Sequence, residues 1–186
     1  MRQPPVLLAI DVQQGFRDQE SWGLSANPGV YDNIDSLMKL WRERSWPIVV
    51  VKHNSVNPNS TLSQSNPGNQ LEPFLDGPRD VVIQKSVNSA FYGTPDLHLW
   101  LTKRGFSSLV ICGITTNHCC ETTARMAGNL GYKVEFALDA TTAFPIQLGQ
   151  KVIPGEVVME MTAANLDGEF ANVTQTSELL EKYRIP

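Results

Sequence analysis

The chain has 186 residues, enough for one domain with a sizeable core, and 41% hydrophobic against 18% charged residues is an ordinary globular balance. A net charge of −4 with no basic run does not suggest a nucleic-acid binder, so none is expected as a partner. No apolar stretch approaches the roughly 18 to 20 residues of a membrane span, and the short run that ends at Asp11 is not a signal peptide.

Along the chain, short β-branched-rich runs alternate with amphipathic stretches. "VLLAIDV" (6–12) predicts the first strand, with Asp11 at its tip and Gln13, Phe16 and Trp22 following. Ile34, Leu37, Met38 and Trp41 then recur at helical spacing after an Asn27-Pro28 start signal. "PIVVVKHN" (47–54) is the second strand and ends in His53 and Asn54. Residues 55–79 are rich in Pro, Asn, Ser and Gly without strong periodicity, a long loop of the kind that either covers a site or packs on another subunit. "DVVIQK" (80–85) is the third strand, with Lys85 at its end and Asn88, Phe91 and Tyr92 just beyond. A helix over 95–105 starts at Pro95. A fourth strand over 107–114 runs into "CGITTNHCC" and a helix over 118–132. Strands over 133–140 and 169–175 and helices over 155–168 and 177–184 complete the set.

Continuous rather than alternating hydrophobicity suits strands covered on both faces. The repeated βα order predicts an α/β fold: a three-layer, Rossmann-like domain over 1–186 with a mainly parallel six-stranded sheet and helices on both faces. In such sheets ligands bind at the carboxyl ends of the strands. Taken singly, Asp11 reads as a turn or cap, Lys85 as a solvated face, a clustered Cys as a small buried hydrophobe, and His53 as a satisfied strand-end histidine. An acid, a cation and a thiol together at one sheet edge point to a site. The turn after strand one has no G-x-G-x-x-G, so a dinucleotide is poorly supported.

These motifs resemble the isochorismatase-like cysteine hydrolases, which include nicotinamidases and N-carbamoylsarcosine amidases. The likeness runs from about residue 5 to about residue 181. It rests on "AIDVQQGF", "KSVNSAFYGTPDL", "ICGITTNHCCETTARMAGNLGYKV", "DATTAF" and "DGEFANV", in that order. The resemblance implies Cys119 as nucleophile, Asp11 as base and Lys85 as third member. It also implies a cis peptide before Thr115 and an oxyanion hole made by the backbone N–H groups of Thr115 and Cys119. A homo-oligomer, dimer or tetramer, is implied in the same way.

The chemistry follows from residue types. A thiolate is the reactive form of cysteine, and a helix first turn and a nearby Lys85 would favour it at Cys119. Asp11 can take the thiol proton and return it to a leaving amine. Adjacent helix residues point about 100° apart, so Cys120 reads as packing, and Cys112 reads as strand core. Three clustered cysteines do not make a disulfide framework, which fits a reducing cytoplasm.

The stretch after strand two, "KHNSVNP", lacks the Asp-x-His pattern with which nicotinamidases hold a metal, and one imidazole beside Asn and Ser is a poor metal site. The expectation is no metal, no cofactor and a substrate other than nicotinamide. Gln13, Phe16, Trp22, His53, Asn88, Phe91, Tyr92 and His118 are candidate contacts for a small-molecule substrate. The leading reading is hydrolysis of a small amide or ureido C–N bond through a Cys119 thioester. The alternatives are an isochorismatase-type vinyl ether hydrolase with Asp11 as the acid, and a non-catalytic small-molecule-binding domain.

Overall fold

Leucine, isoleucine and valine fill the central strands because both of their faces are covered. The computed structural model describes residues 3–184. Its strands are β1 (Val6–Ile10), β2 (Ile48–His53), β3 (Val81–Lys85), β4 (Ser108–Ile114), β5 (Lys133–Thr142), β6 (Ile146–Leu148), β7 (Lys151–Ile153) and β8 (Asn172–Thr174). Its helices are the short α1 (Gln19–Trp22), then α2 (Val30–Glu43), α3 (Leu97–Lys103), α4 (Glu121–Asn129), α5 (Gly155–Leu166) and α6 (Thr176–Arg184). Six strands form one parallel sheet in the order β3-β2-β1-β4-β5-β8.

Alternate residues of β1 feed two cores. Val6, Leu8 and Ile10 pack with Leu97, Leu101, Ala124 and Leu166 of α3, α4 and α5. Leu7 and Ala9 pack with Ile34, Leu37, Met38 and Leu179 of α2 and α6 on the other face. Each such side chain contributes about 1.5–3 kcal/mol when fully buried. Trp41 ties the second layer together: its indole donates to the Pro5 carbonyl at 2.9 Å and meets Trp46 and Tyr183 edge-on.

The three-layer parallel fold is therefore the expected one, with differences at the boundaries. The α3 helix begins at Leu97, not Pro95, because Asp96 caps it by accepting from Leu99 N–H at 2.8 Å. The β1 strand ends at Ile10, before Asp11 turns away, and β8 is shorter than 169–175. A register shift against β4 lets β5 run on to Thr142. The β6–β7 hairpin was not expected from its exposed residues.

Residues 55–79 pack on their own chain. They hold two short 3-10 turns, at Pro67–Asn69 and Pro73–Leu75, and lie against the turn that follows β1. Arg17 Nε meets Glu72 Oε1 at 2.6 Å across that contact. Two glycines permit it: a Cβ on Gly15 would lie 2.7 Å from the Thr61 carbonyl oxygen, and one on Gly68 would lie 2.7 Å from Gly15 Cα. Gly15→Ala should therefore lower stability by about 1–3 kcal/mol in denaturant unfolding. An unchanged midpoint would mean that the two turns do not meet this closely.

Candidate active site

Asp11, Lys85 and Cys119 come from three strand tips and meet in the interior. Asp11 follows β1 with φ 52°, a left-handed conformation that few non-glycine residues adopt and that often marks functional turns. Its N–H still donates to Val51 O at 2.9 Å, so the chain leaves the sheet only after this residue. Lys85, the last residue of β3, has a fully buried side chain, as does Asp11. Lys85 Nζ lies 2.5 Å from Asp11 Oδ2, 3.2 Å from Cys119 Sγ and 3.1 Å from His53 Nδ1. An ammonium has three donors and no acceptor, and three acceptors surround this one.

Cys119 is held by an unusual turn. The Ile114–Thr115 peptide is cis. Residues Thr116–Cys120 then form a π-helical turn closed by Cys120 N–H donating to Thr115 O at 3.2 Å. Thr116 Oγ1 donates to Thr141 Oγ1 at 2.8 Å and pins this turn to β5. Cys119 thus precedes α4 instead of lying in its first turn, which corrects the expected placement. Two influences oppose the thiolate that Lys85 was expected to favour. Burial first, and the Asp11 carboxylate next, push the Cys119 thiol well up, and Lys85 opposes them only in part. Burial pulls the Lys85 ammonium down, but Asp11 and Cys119 outweigh it and hold Lys85 above its ordinary value. Burial thus favours the neutral thiol at Cys119, which lies beside the Lys85–Asp11 salt bridge.

Asp11 Oδ1 and Thr115 Oγ1 are buried without a hydrogen-bond partner among the described residues. Asp11 therefore commits one oxygen to Lys85 and leaves the other without a partner among the described residues.

The remaining candidates fall into separate places. His53 touches Lys85, and Asn88 Oδ1 lies 3.8 Å from Cys119 Sγ. Gln13 is buried and spent on backbone: its amide donates to His53 O and Asn69 O and accepts from His53 N–H. Phe16 and Trp22 form an aromatic cluster with Phe144, their own ring centroids 4.7 Å apart. Phe91 packs in the core against Tyr132. Tyr92 is exposed on an open groove of about 460 Å³ beside Lys85, lined also by Asn54, Val56, Gln64 and Gln84. His118 is exposed. Sequence reasoning missed Asn69, Phe144 and Thr116. No local pattern marks Asn69, "DATTAF" ends in Phe144 without showing that it joins Phe16 and Trp22, and "TTNHCC" holds Thr116 without showing which hydroxyl faces inward.

The isochorismatase domain family matches residues 5–176 of this chain. The chain belongs to the isochorismatase family of hydrolases. It is 34% identical to the isochorismatase family protein YrdC of Bacillus subtilis (strain 168), with 98% of each chain covered. It is 29% identical to Nicotinamidase 3 of Arabidopsis thaliana over 93% of this chain and 85% of that one. An isochorismatase-family crystal structure from Chromobacterium violaceum ATCC 12472 superposes with a TM-score of 0.91 at 36% identity, covering 99% of this chain and 97% of that one.

A metal of the kind that nicotinamidases carry does not fit this member of the isochorismatase family. Ligand-type atoms of Asp11, His53 and Cys119 lie within 4.8 Å of one another. All three already contact Lys85 Nζ, so a fixed ammonium stands where a cation would sit. At the β2 tip, Asn54 is engaged with Gln84 and Asn69, and Ser55 continues the loop. No helix among the described residues is long and apolar enough to cross a membrane.

Cys112 and Cys120 are completely buried and face opposite sides of the sheet, whereas Cys119 is 8% exposed. Burial alone pushes the Cys112 thiol up, and burial together with Cys119 pushes up that of Cys120. Iodoacetamide on the native protein, mapped by peptide mass spectrometry, should modify Cys119 at least about tenfold faster than either neighbour. Faster labelling of Cys120 would contradict the assignment of the reactive thiol.

Proposed function

We propose that this isochorismatase-family hydrolase is a metal-independent cysteine amidohydrolase that cleaves a small amide or ureido C–N bond. The observation that carries the reading is the contact of one buried ammonium with both Asp11 and Cys119, with Asp11 Oδ1 left free. As substrate binds, Asp11 takes the thiol proton and Cys119 Sγ attacks the carbonyl carbon. The backbone N–H groups of Thr115 and Cys119 receive the oxyanion. Asp11 returns the proton to nitrogen, the C–N bond breaks, and ammonia or an amine leaves a thioester on Cys119. Water, deprotonated by Asp11, attacks the thioester, the acid departs, and the thiol recovers its proton. Lys85 stays charged throughout and stabilises whichever partner is anionic.

The likeness to a nicotinamidase supports amide chemistry, and the missing Asp-x-His pattern argues against nicotinamide itself. Wild type and Cys119→Ala should be compared on small amides, ureido acids and isochorismate, with and without chelator. Ammonia release should fall by about a thousandfold or more in Cys119→Ala and be unaffected by chelator in wild type. Isochorismate turnover that survives in Cys119→Ala would transfer the assignment to vinyl ether hydrolysis with Asp11 as the acid.

A further inference from the structure

The reaction above leaves the third acceptor of the Lys85 ammonium without a role. That acceptor is His53 Nδ1, at 3.1 Å. His53 ends β2 and is the register partner of Lys85 on the adjacent strand. Its backbone is clamped on both sides: the N–H donates to Gln13 Oε1 at 2.8 Å, and the carbonyl accepts from Gln13 Nε2 at 3.0 Å and Asn69 Nδ2 at 3.1 Å. Gln13 and Asn69 are themselves buried. Two buried amide side chains are thus committed to the main chain of one half-buried residue. That arrangement fixes the main chain from which the ring reaches Lys85.

An ammonium only donates, so the nitrogen facing it carries a lone pair. Ring nitrogens are distinguished by the bonds they make, and the bond at Nδ1 places the ring proton on Nε2. We propose that His53, as the neutral Nε2–H tautomer, is a positioning residue that holds the third N–H of Lys85 and so keeps the ammonium on Asp11 and Cys119. Protonating the imidazole converts this acceptor into a donor that faces a cation, and the arrangement then comes apart. The charged and titratable groups that face His53 are Lys85 from β3, Asp11 from the tip of β1 and Cys119 from the turn after β4. Burial first and Lys85 second lower the imidazole pKa, and Asp11 opposes them, so the neutral form prevails at neutral pH. Only the catalytic consequence of this proposal rests on the hydrolase reading.

The tautomer can be read on the wild-type protein by long-range 1H–15N NMR, because the chain holds only His53, His98 and His118. His53→Asn assigns the resonances. Nδ1 should be unprotonated, and the ring should titrate below the ordinary histidine range. In Lys85→Met that titration should move up by about one unit. An Nδ1–H tautomer would overturn the proposal without any variant, and a titration unmoved in folded Lys85→Met would do the same. The functional arm uses iodoacetamide on Cys119. His53→Leu should slow labelling by about tenfold, whereas His53→Asn, which places an oxygen near Nδ1, should stay within about threefold of wild type. Equal rates in all three proteins would retire His53 and leave the hydrolase reading intact. Turnover independent of Cys119 would retire that reading and leave the NMR result standing.

Discussion

Burying the Lys85 ammonium takes a full charge out of water, and the sheet tolerates it only because three acceptors close around Nζ. Removing one partner of such a buried pair costs about 3–5 kcal/mol, since the other is left uncompensated. The same contacts decide the chemistry. The carboxylate beside Lys85 offsets its charge, and burial together with that carboxylate pushes the Cys119 thiol up more than Lys85 pulls it down. In the proposed mechanism the proton moves to Asp11 only when substrate arrives, in contrast to a preformed thiolate–imidazolium pair.

The topology explains why these residues can meet. With the strand order β3-β2-β1-β4, Lys85 at the edge must reach across the tip of β2 to touch Asp11 after β1 and Cys119 after β4. Its side chain passes His53 on the way. Asp11 and Cys119 flank the point between β1 and β4 at which the strand order reverses, the usual ligand crevice of a doubly wound sheet. Gly113 permits the close approach there: its φ is 133°, and a Cβ would lie 2.0 Å from Ile10 O.

Much of this was legible in the sequence because strand tips are. The runs "VLLAI", "IVVV" and "SLVICGI" are unbroken, so their ends locate Asp11, His53 and the segment that carries Cys119. What could not be read is long-range hydrogen bonding. Gln13 looked like a polar contact for substrate, yet its amide is consumed by the backbone of residues forty and more positions away. His53 looked like a satisfied strand-end histidine or a substrate contact, and only the strand register shows it next to Lys85. The π-helical turn depends on two hydrogen bonds, from Cys120 N–H to Thr115 O and from Glu121 N–H to Thr116 O, which no periodicity signals. The β6–β7 hairpin buries too little to leave an alternating pattern, with Leu148 and Val152 both well exposed.

The most direct check on the ammonium-centred site is a high-resolution crystal structure of protein soaked in zinc, with anomalous data collected at the zinc edge. Lys85 Nζ should lie among Asp11, Cys119 and His53, with no anomalous peak between them. A zinc ion on Asp11 and His53, with Lys85 turned away, would contradict the account.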